Sequence, residues 1–262
     1  MALYEPIIKR CSVRSYSDKI PSNVVIDAIR EKIGRLKPLD NTIRIKLAVV
    51  NAAEMAELTG TKKISQAPYY IVAYSENKGM AYQNIGFLLE QLVLNMTAMG
   101  LGVCYLGGLS VKNTPPGFIY IITLAFGIPK GSLRQGISEF KRRPLESLCR
   151  GEQPDETVSQ IIMAARLAPS AMNLQPCRYQ IEGHKIHIFR GSPPLAIKKF
   201  VKLQQIDCGI AMAHIMEQAK FMGIHGKFCK MDDIKTGGTY EMSVILDSEN
   251  NEDKSENVER CV

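Results

Sequence analysis

Two kinds of hydrophobic pattern alternate along the chain. In the first, apolar residues recur every three to four positions, which predicts helices at 22–33, 52–59, 81–99, 155–167 and 204–222. In the second, short runs are rich in β-branched and aromatic residues, which predicts strands at 43–50, 69–74, 118–126, 178–182, 185–190 and 239–246. Helices that alternate with strands indicate an α/β or α+β fold. The two long apolar helices are expected to pack between or beside sheets.

Those two long helices resemble each other in sequence. The segment IGFLLEQLVLNMTAMGL at 85–101 aligns without a gap with CGIAMAHIMEQAKFMGI at 208–224. Each segment ends close to a glycine, Gly100 in one and Gly223 in the other. Glycine is the usual residue at a helix C-terminus, because it adopts the left-handed conformation readily.

The helices that precede them also correspond. The segment 20–41 contains RLKP, and the segment 153–173 contains RLAP at the matching place. Amphipathic helices can resemble one another through composition alone, but two pairs in the same order favour an internal duplication. We therefore predict one domain at 1–246 with half-units at about 1–135 and 136–246. The linker-like segment at 129–146 joins the two half-units.

Composition narrows the function classes. The 262 residues are 45% hydrophobic, and the longest uncharged apolar run, 117–129, is too short to span a membrane. The first residues lack the apolar core and cleavage site of a signal peptide. Seven cysteines without a CxxC pair argue against a disulfide framework and a zinc site. We expect reduced thiols, a cytoplasmic location and no metal.

Charge is distributed unevenly along the chain. The net charge is +7, but residues 247–262 hold six acidic and two basic side chains, net −4, so residues 1–246 carry net +11. That balance suits an anionic ligand such as a phosphate or a nucleotide. The basic residues are scattered and no nucleic-acid motif accompanies them, so neither a nucleic acid nor a membrane is expected as partner. The acidic end is typical of a disordered tail.

Three segments carry residues that suit a flat, phosphorylated ligand. In KRCSVRSYSD, Arg10, Ser12 and Arg14 alternate, so an extended segment would project them to one side with forked donors. Taken alone, an exposed basic strand explains that spacing. In MGLGVCYLGGLS at 99–110, a helix end, a short strand and a Gly-Gly turn would let backbone N–H groups approach a ligand. In RLAPSAMNLQP at 166–176, a helix ends in a turn of small residues that a flat group could approach.

These segments, in this order and with FKRRPLESL at 140–148, resemble the nitroreductase family of FMN-dependent oxidoreductases over most of residues 7–224. The internal duplication resembles one branch of that family in particular. The resemblance implies an α+β fold, a nitroreductase-like sandwich in which two tandem half-units are fused as a pseudo-dimer around central helices. It also implies a monomer with one intact flavin site and one degenerate one, because RCSVRSY stands in the first half and RLAPSAMN in the second.

The resemblance implies roles for individual residues. The implied phosphate ligands are Arg10 and Ser12, in the segment that also holds Cys11, together with Lys141 or Arg142. Arg14 would lie near the pyrimidine edge of the ring. A backbone N–H would approach the ring N5 from the stretch Tyr105, Leu106, Gly107 and Gly108. The implied lining of the ring is Pro169, Ser170 and Ala171, supported by Asn173 and Gln175.

Two positions depart from the family pattern. Met172 stands where the family often has glycine, and Cys177 stands where it often has tryptophan. Met172 would narrow the space around the ring and affects both flavin retention and substrate access. Cys177 and Cys11 lie beside binding motifs, and a packed residue without a redox role is the favoured interpretation of both.

The function implied is hydride transfer from NADH or NADPH through FMN to a nitroaromatic, a quinone or a similar small acceptor. No protein residue is expected to act as acid or nucleophile, because the flavin carries the chemistry. The alternative is a protein that stores or carries FMN without turnover. Specialised flavin chemistry such as reductive dehalogenation is a third possibility, for which the sequence shows no diagnostic motif.

Overall fold

The computed structural model describes residues 2–61, 66–192, 201–232, 234 and 238–247. Its helices are α1 Glu5–Lys9, α2 Asn23–Gly34, α3 Ala52–Thr59, α4 Ala81–Ala98, α5 Glu156–Leu167 and α6 Val201–Phe221. Its strands are β1 Ile45–Asn51, β2 Tyr69–Ser75, β3 Gly102–Leu106, β4 Ile119–Gly127, β5 Cys149–Gly151, β6 Cys177–Glu182, β7 Lys185–Arg190, β8 His225–Cys229 and β9 Thr239–Asp247. The predicted acidic tail lies outside the described residues, except for Asp247.

The chain divides into two compact units. One unit is Glu5–Glu139, and the other combines the first four residues with the chain from Phe140 onward. The boundary falls within the linker-like segment at 129–146. No helix in the described ranges is long and apolar enough to cross a membrane.

In the unit Glu5–Glu139, four antiparallel strands form one sheet in the order β1-β2-β4-β3. Helix α4 is buried over most of its length, and its buried apolar side chains join those of β2 and β4 in the core. Helix α3 begins at Asn51, whose side chain accepts from the backbone N–H of Glu54 while the Glu54 side chain accepts from that of Asn51. This reciprocal cap satisfies helix donors that would otherwise stay unpaired.

In the unit that starts at Phe140, five strands form a sheet in the order β5-β6-β7-β9-β8. The short strand β5 runs parallel to β6, and the other neighbours are antiparallel. Asp155 is the N-cap of helix α5, and its carboxylate accepts from the Val158 N–H at 2.8 Å. Helix α5 packs against the buried helix α6. The core of this unit lies between those two helices and the sheet.

The two sheets share one strand order. If β5 is set aside, β6-β7-β9-β8 follows the chain in the same way as β1-β2-β4-β3. The register also breaks at the same place in both sheets, between the second and third strands of each. In one sheet the break lies between Ala73 and Tyr74, and in the other between Ile188 and Phe189. Each unit therefore contains a bulged four-stranded antiparallel sheet of the same topology.

The repetition extends to side-chain pairs on β4 in one sheet and on β9 in the other. The Tyr120 hydroxyl lies 3.0 Å from Thr123 Oγ1, and the Tyr240 hydroxyl lies 2.6 Å from Ser243 Oγ. Each tyrosine ring also packs against a ring on the neighbouring strand, in the pairs Tyr74–Tyr120 and Phe189–Tyr240. Matching polar and aromatic pairs are not dictated by the apolar pattern alone, so they support the duplication inferred from the helices.

The prediction of a mixed α+β fold is confirmed, because the strands are mainly antiparallel and lie in two sheets with helices beside them. The sequence missed α1, β5 and β8, which have five residues or fewer. Such short elements show no full hydrophobic period, and β8 also carries His225 and Gly226, which weaken a strand pattern. Helix α6 begins at Val201, three residues before its predicted start.

Replacing Ser243 with alanine should destabilise the fold more than replacing Thr123 with valine. Ser243 Oγ is buried and lies 2.7 Å from His187 Nδ1 as well as near the Tyr240 hydroxyl, so its loss leaves two polar groups without that partner. We expect about 2 kcal/mol for Ser243→Ala and about 1 kcal/mol for Thr123→Val. Denaturant unfolding of both variants measures the difference, and equal costs would contradict the role given to His187.

Candidate functional site

Arg10 lies at the end of α1, where its N–H donates to the Pro6 carbonyl at 3.0 Å. Its side chain is only 3% exposed, and its Nε lies 4.0 Å from Glu90 Oε1 on α4. The other oxygen of Glu90 accepts from the Tyr105 hydroxyl at 2.8 Å. Among the described residues, Arg10 Nε has no hydrogen-bond partner. A buried cationic donor is therefore incompletely satisfied, a feature typical of a ligand site.

The segment that follows Arg10 runs beside β3. Ser12 forms a parallel bridge with Val103, and the Val13 N–H donates to the Val103 carbonyl at 3.1 Å. Gly102 permits this approach, since a Cβ there would lie 2.7 Å from the Val13 side chain. The sequence predicts that Arg10, Ser12 and Arg14 face one side. In the structure Arg10 is buried at the helix end, whereas Ser12 and Arg14 are exposed.

A further arginine, which the sequence analysis did not single out, joins this segment. Arg134 donates from Nη1 to the Arg10 carbonyl. Partial burial and the charge of Arg10 lower the pKa of the Arg134 guanidinium. Burial raises the pKa of the Cys104 thiol, while the charges of Arg14 and Arg10 act in the opposite direction. Both guanidinium groups therefore lie near that cysteine. We call Arg10, Arg14 and Arg134 the arginine cluster. The only sequence signal for Arg134 was its place in a basic, linker-like segment.

The predicted Gly-Gly turn lies in the same unit. Strand β3 ends at Leu106, and Gly107 and Gly108 form an exposed turn after it. A side chain at Gly108 would meet nothing within 4 Å, so backbone groups of this turn are open to approach. Because Tyr105 is bonded to Glu90, the same carboxylate links this stretch to Arg10.

The second predicted segment forms a strained turn, which we call the Pro-Ser turn (residues 169–175). Helix α5 ends at Leu167, before Pro169. Three residues that are not glycine adopt positive φ, Met172 at 51°, Asn173 at 56° and Gln175 at 51°. The Gln175 N–H donates to Ser170 Oγ at 2.9 Å and closes the turn. The resemblance places glycine at the Met172 position, and glycine adopts a positive φ without strain.

The basic segment at 141–143 forms hydrogen bonds to the Pro-Ser turn. Arg142 donates from Nη1 to Asn173 Oδ1 at 2.8 Å and from Nη2 to the Leu167 carbonyl at 3.0 Å. Asn173 in turn donates to the Lys141 carbonyl at 3.0 Å, and the side chain of Lys141 is exposed. The Arg143 N–H donates to Gln175 Oε1 at 2.7 Å. Arg142 is thus used to hold the turn, and of the two candidate side chains Lys141 is the more accessible.

Asp207 on α6 is a second residue that the sequence analysis did not single out. Its carboxylate oxygens lie 3.0 Å and 3.1 Å from the Ala171 nitrogen, which donates to them. The side chain is buried, and burial raises its pKa to about 7, although the bond from Ala171 acts in the opposite direction. The sequence signal that could have identified Asp207 was an aspartate within a mostly apolar helix. Nearby, Cys177 Sγ lies 3.3 Å from Cys208 Sγ, and both are free, buried thiols.

The candidate residues thus form two sets, each within one unit. The unit Glu5–Glu139 holds the arginine cluster with Cys11, Ser12 and the stretch Tyr105, Leu106, Gly107 and Gly108. The other unit holds the Pro-Ser turn with Lys141, Arg142 and Asp207. Within the described part of the chain, no group of three or more His, Cys, Asp or Glu residues is arranged to hold a metal ion.

The family model described as "Putative TM nitroreductase" matches residues 2–219. The match covers most of the chain, so the chain belongs to this nitroreductase family and is an oxidoreductase of that class. No curated protein matches it.

One solved structure supports the fold, and two others are similar to about half of the chain. A nitroreductase from Thermotoga maritima, described as putative, is 23% identical, covers 94% of this chain and 93% of its own, and gives a TM-score of 0.65. A nitroreductase family protein from Clostridium difficile 630 is 17% identical and covers 56% of this chain and 96% of its own, with a TM-score of 0.48. An FMN-dependent nitroreductase from Clostridium difficile R20291 is 17% identical and covers 53% and 95%, with a TM-score of 0.42.

Replacing Met172 with glycine should stabilise the protein. Met172 has a φ of 51° and is 71% exposed, so its side chain contributes little packing while its backbone is strained. We expect a gain of about 0.5–1 kcal/mol, the left-handed strain less the added entropy of glycine in the unfolded chain. Gly183→Ala is the matched control, because Gly183 has a φ of 54° and open space around it. It should lose a similar amount, and a loss for Met172→Gly would contradict the strain argument.

Proposed function

We propose that this protein is an FMN-dependent oxidoreductase that uses NADH or NADPH to reduce a small electron acceptor such as a nitroaromatic or a quinone. The observation that carries the proposal is the Pro-Ser turn. At Ser170 and Ala171 the turn presents backbone and small side chains, and three independent sets of bonds hold its shape. Membership of the nitroreductase family supports the same conclusion.

The arginine cluster fits the phosphate of the flavin. The buried donor at Arg10 Nε has no hydrogen-bond partner among the described residues. Two carboxylates, Glu90 beside Arg10 and Glu139 near Arg134, face the three guanidinium groups of the cluster, so positive charge is in excess. Ser12 and Arg14 are exposed beside it, so a dianionic group would meet a hydroxyl and forked donors together. On this proposal Lys141 adds a fourth cation, while Arg142 positions the turn.

When bound, FMN would supply the hydride-accepting and hydride-donating chemistry of its ring. The residues of this chain bind and orient it. Pro169, Ser170 and Ala171 would line one part of the ring, and Asn173 and Gln175 keep that lining in shape. The turn at Gly107 and Gly108 would offer backbone N–H donors near N5. No carboxylate, histidine or thiol of the chain is required to react with the substrate.

We also propose that the two units descend from one duplicated half and together form a pseudo-dimer within one monomeric chain. The shared strand order, the matched register breaks and the repeated tyrosine–hydroxyl pairs support this. On this proposal only one flavin site is retained. The counterpart of the Pro-Ser turn, RLKPLDN at 35–41, has lost its Pro-Ser sequence.

A second candidate function is FMN binding without turnover. It is favoured by Met172, whose exposed side chain projects from the turn that would line the ring and could restrict the approach of a second ligand. The two functions share the same flavin site and differ in whether a nicotinamide can reach it.

The visible spectrum of the purified protein distinguishes these functions. We expect a flavin spectrum that bleaches when excess NADPH or NADH is added without oxygen, and that returns when a quinone or nitroaromatic is supplied. A flavin spectrum that neither nicotinamide changes would favour the carrier function. The absence of bound flavin, together with no uptake of added FMN, would reject both functions.

Replacing Arg10 and Arg14 of the arginine cluster should weaken flavin binding. Arg14→Ala removes an exposed guanidinium and should weaken FMN binding about tenfold, and Arg10→Ala with Arg14→Ala should weaken it at least about 100-fold, because each removes charge-assisted bonds. Fluorescence titration of the apoprotein with FMN measures both. Arg30→Ala with Arg35→Ala is the matched control, since these exposed arginines on and just after α2 pair only locally. Unchanged affinity in the Arg14 variant would reject the assignment.

A further inference from the structure

The two long helices use matching residues to bind the turn in their own unit. Asn84 and Asp207 stand directly before the segments 85–101 and 208–224, which align without a gap, so they occupy equivalent positions. Asn84 Oδ1 accepts from the backbone N–H of Leu39 at 2.7 Å and of Asp40 at 3.2 Å. Asp207 accepts from the Ala171 N–H in the equivalent turn. The device is therefore repeated, with an amide in one unit and a carboxylate in the other.

The backbone of each turn explains this difference. Asn84 Nδ2 donates to the Asp40 carbonyl at 2.8 Å, so both ends of that amide are used. In the Pro-Ser turn the Ala171 carbonyl already accepts from the Leu174 N–H at 3.0 Å. An amide at position 207 would bring N–H donors in addition to the acceptor that the Ala171 N–H requires. A carboxylate, which only accepts when ionised, matches the single N–H that the turn offers.

The surroundings of Asp207 keep its charge uncompensated. It lies beside a cavity of about 20 Å³ that Arg166, Cys177 and Tyr179 also line. The Arg166 guanidinium donates to the carbonyls of residues 142 and 143 and approaches Met163 Sδ. Cys208, the next residue on α6, lies near both Asp207 and Glu241 on β9, and Glu241 pairs with Arg190 at 2.7 Å.

Asp207 is placed to change charge near neutral pH. Burial raises its pKa to about 7. The bond from Cys177 raises the pKa of Cys208 well above its ordinary value, and burial does the same for Tyr179, so both stay neutral around pH 7. The guanidinium of Arg166 stays charged at every relevant pH.

We propose that Asp207 is the positioning residue of the Pro-Ser turn, and that its ionised carboxylate, by holding the Ala171 amide, sets the turn in the shape that binds the flavin ring. This inference rests on the proposed function. Protonation replaces a charge-assisted bond with a weaker neutral one and adds an O–H donor that needs its own acceptor. The turn is then held less firmly, and the ring is bound less tightly.

The effect on folding has the opposite sign. The pKa of Asp207 is raised from 3.8 to about 7 in the folded protein, so the folded state binds the proton more tightly than the unfolded chain. Its contribution to stability is fully present below about pH 4 and is lost as the pH rises to about 7. The chain thus keeps an ionised carboxylate that costs stability at the pH where it positions the turn, which is typical of a functional residue.

The first test needs neither a variant nor a ligand. In the apoprotein, the amide signal of Ala171 and the side-chain carboxyl signal of Asp207 are followed by NMR from pH 5 to 8.5. We expect both to titrate with one midpoint near 7. An Ala171 amide that does not titrate in this range would overturn the proposal, whatever the protein does with flavin.

The second test measures FMN affinity over the same pH range in the wild type, in Asp207→Asn and in Asn84→Asp. The FMN phosphate also ionises, with a pKa of about 6, but this ionisation contributes equally to the pH profiles of all three proteins. We expect the wild type to gain about fivefold in affinity across the midpoint relative to Asp207→Asn, as a neutral bond becomes charge-assisted. Asn84→Asp, the matched control in the other unit, should keep the wild-type profile.

The outcomes separate this inference from the proposed function. Coinciding pH profiles in the wild type and Asp207→Asn would overturn it even if FMN binds. A shifted profile in Asn84→Asp would also overturn it, because the effect would then follow net charge rather than the turn. If Ala171 titrates as expected but FMN binds at no pH, the proposed function fails while Asp207 keeps its role in fixing the turn.

Discussion

The Pro-Ser turn depends on backbone conformations that its own residues do not favour. Three residues other than glycine lie in the left-handed region between positions 172 and 175, at a cost of about 1–2 kcal/mol each. Such strain persists only where surrounding structure determines it. Here Ser170 closes the turn from within, and Asp207 holds it from the core of its unit. The segment 141–143 binds it through the Arg142 side chain and the backbone N–H of Arg143. These bonds therefore determine the backbone conformation of this part of the candidate site.

The two units share one sheet topology but differ in their turns. The bulged four-stranded sheet and the tyrosine–hydroxyl pairs are present in both, whereas the turns after α2 and α5 differ in sequence and in hydrogen bonding. Asn84 uses both the oxygen and the nitrogen of its amide to bind its turn, whereas Asp207 binds its turn only as an acceptor. We propose that this difference relates the second turn to ligand binding.

Much of the fold could be predicted from the sequence, because long helices and buried strands have strong hydrophobic periods. The elements that were missed, such as β5 and β8, are too short to show one. The segments proposed for the candidate site were chosen from the sequence, since Pro, Gly and Arg in unusual patterns signal turns and anion binding, and their role in binding stays a prediction. Arg134 and Asp207 were not found. Their roles arise from contacts with residues 124 and 36 positions away in the chain, which no local pattern reveals.

The edges of the two sheets differ in a way that matters for handling the protein. In the five-stranded sheet, β5 pairs in parallel with β6 and covers part of its edge. In the four-stranded sheet, β1 is the terminal strand, and its sequence IKLAVVN is apolar except for Lys46 and Asn51. Exposed charges such as Lys46 discourage two edge strands from pairing between molecules. Lys46 is the one charged side chain of β1, so an apolar residue in its place would leave that edge strand without this protection.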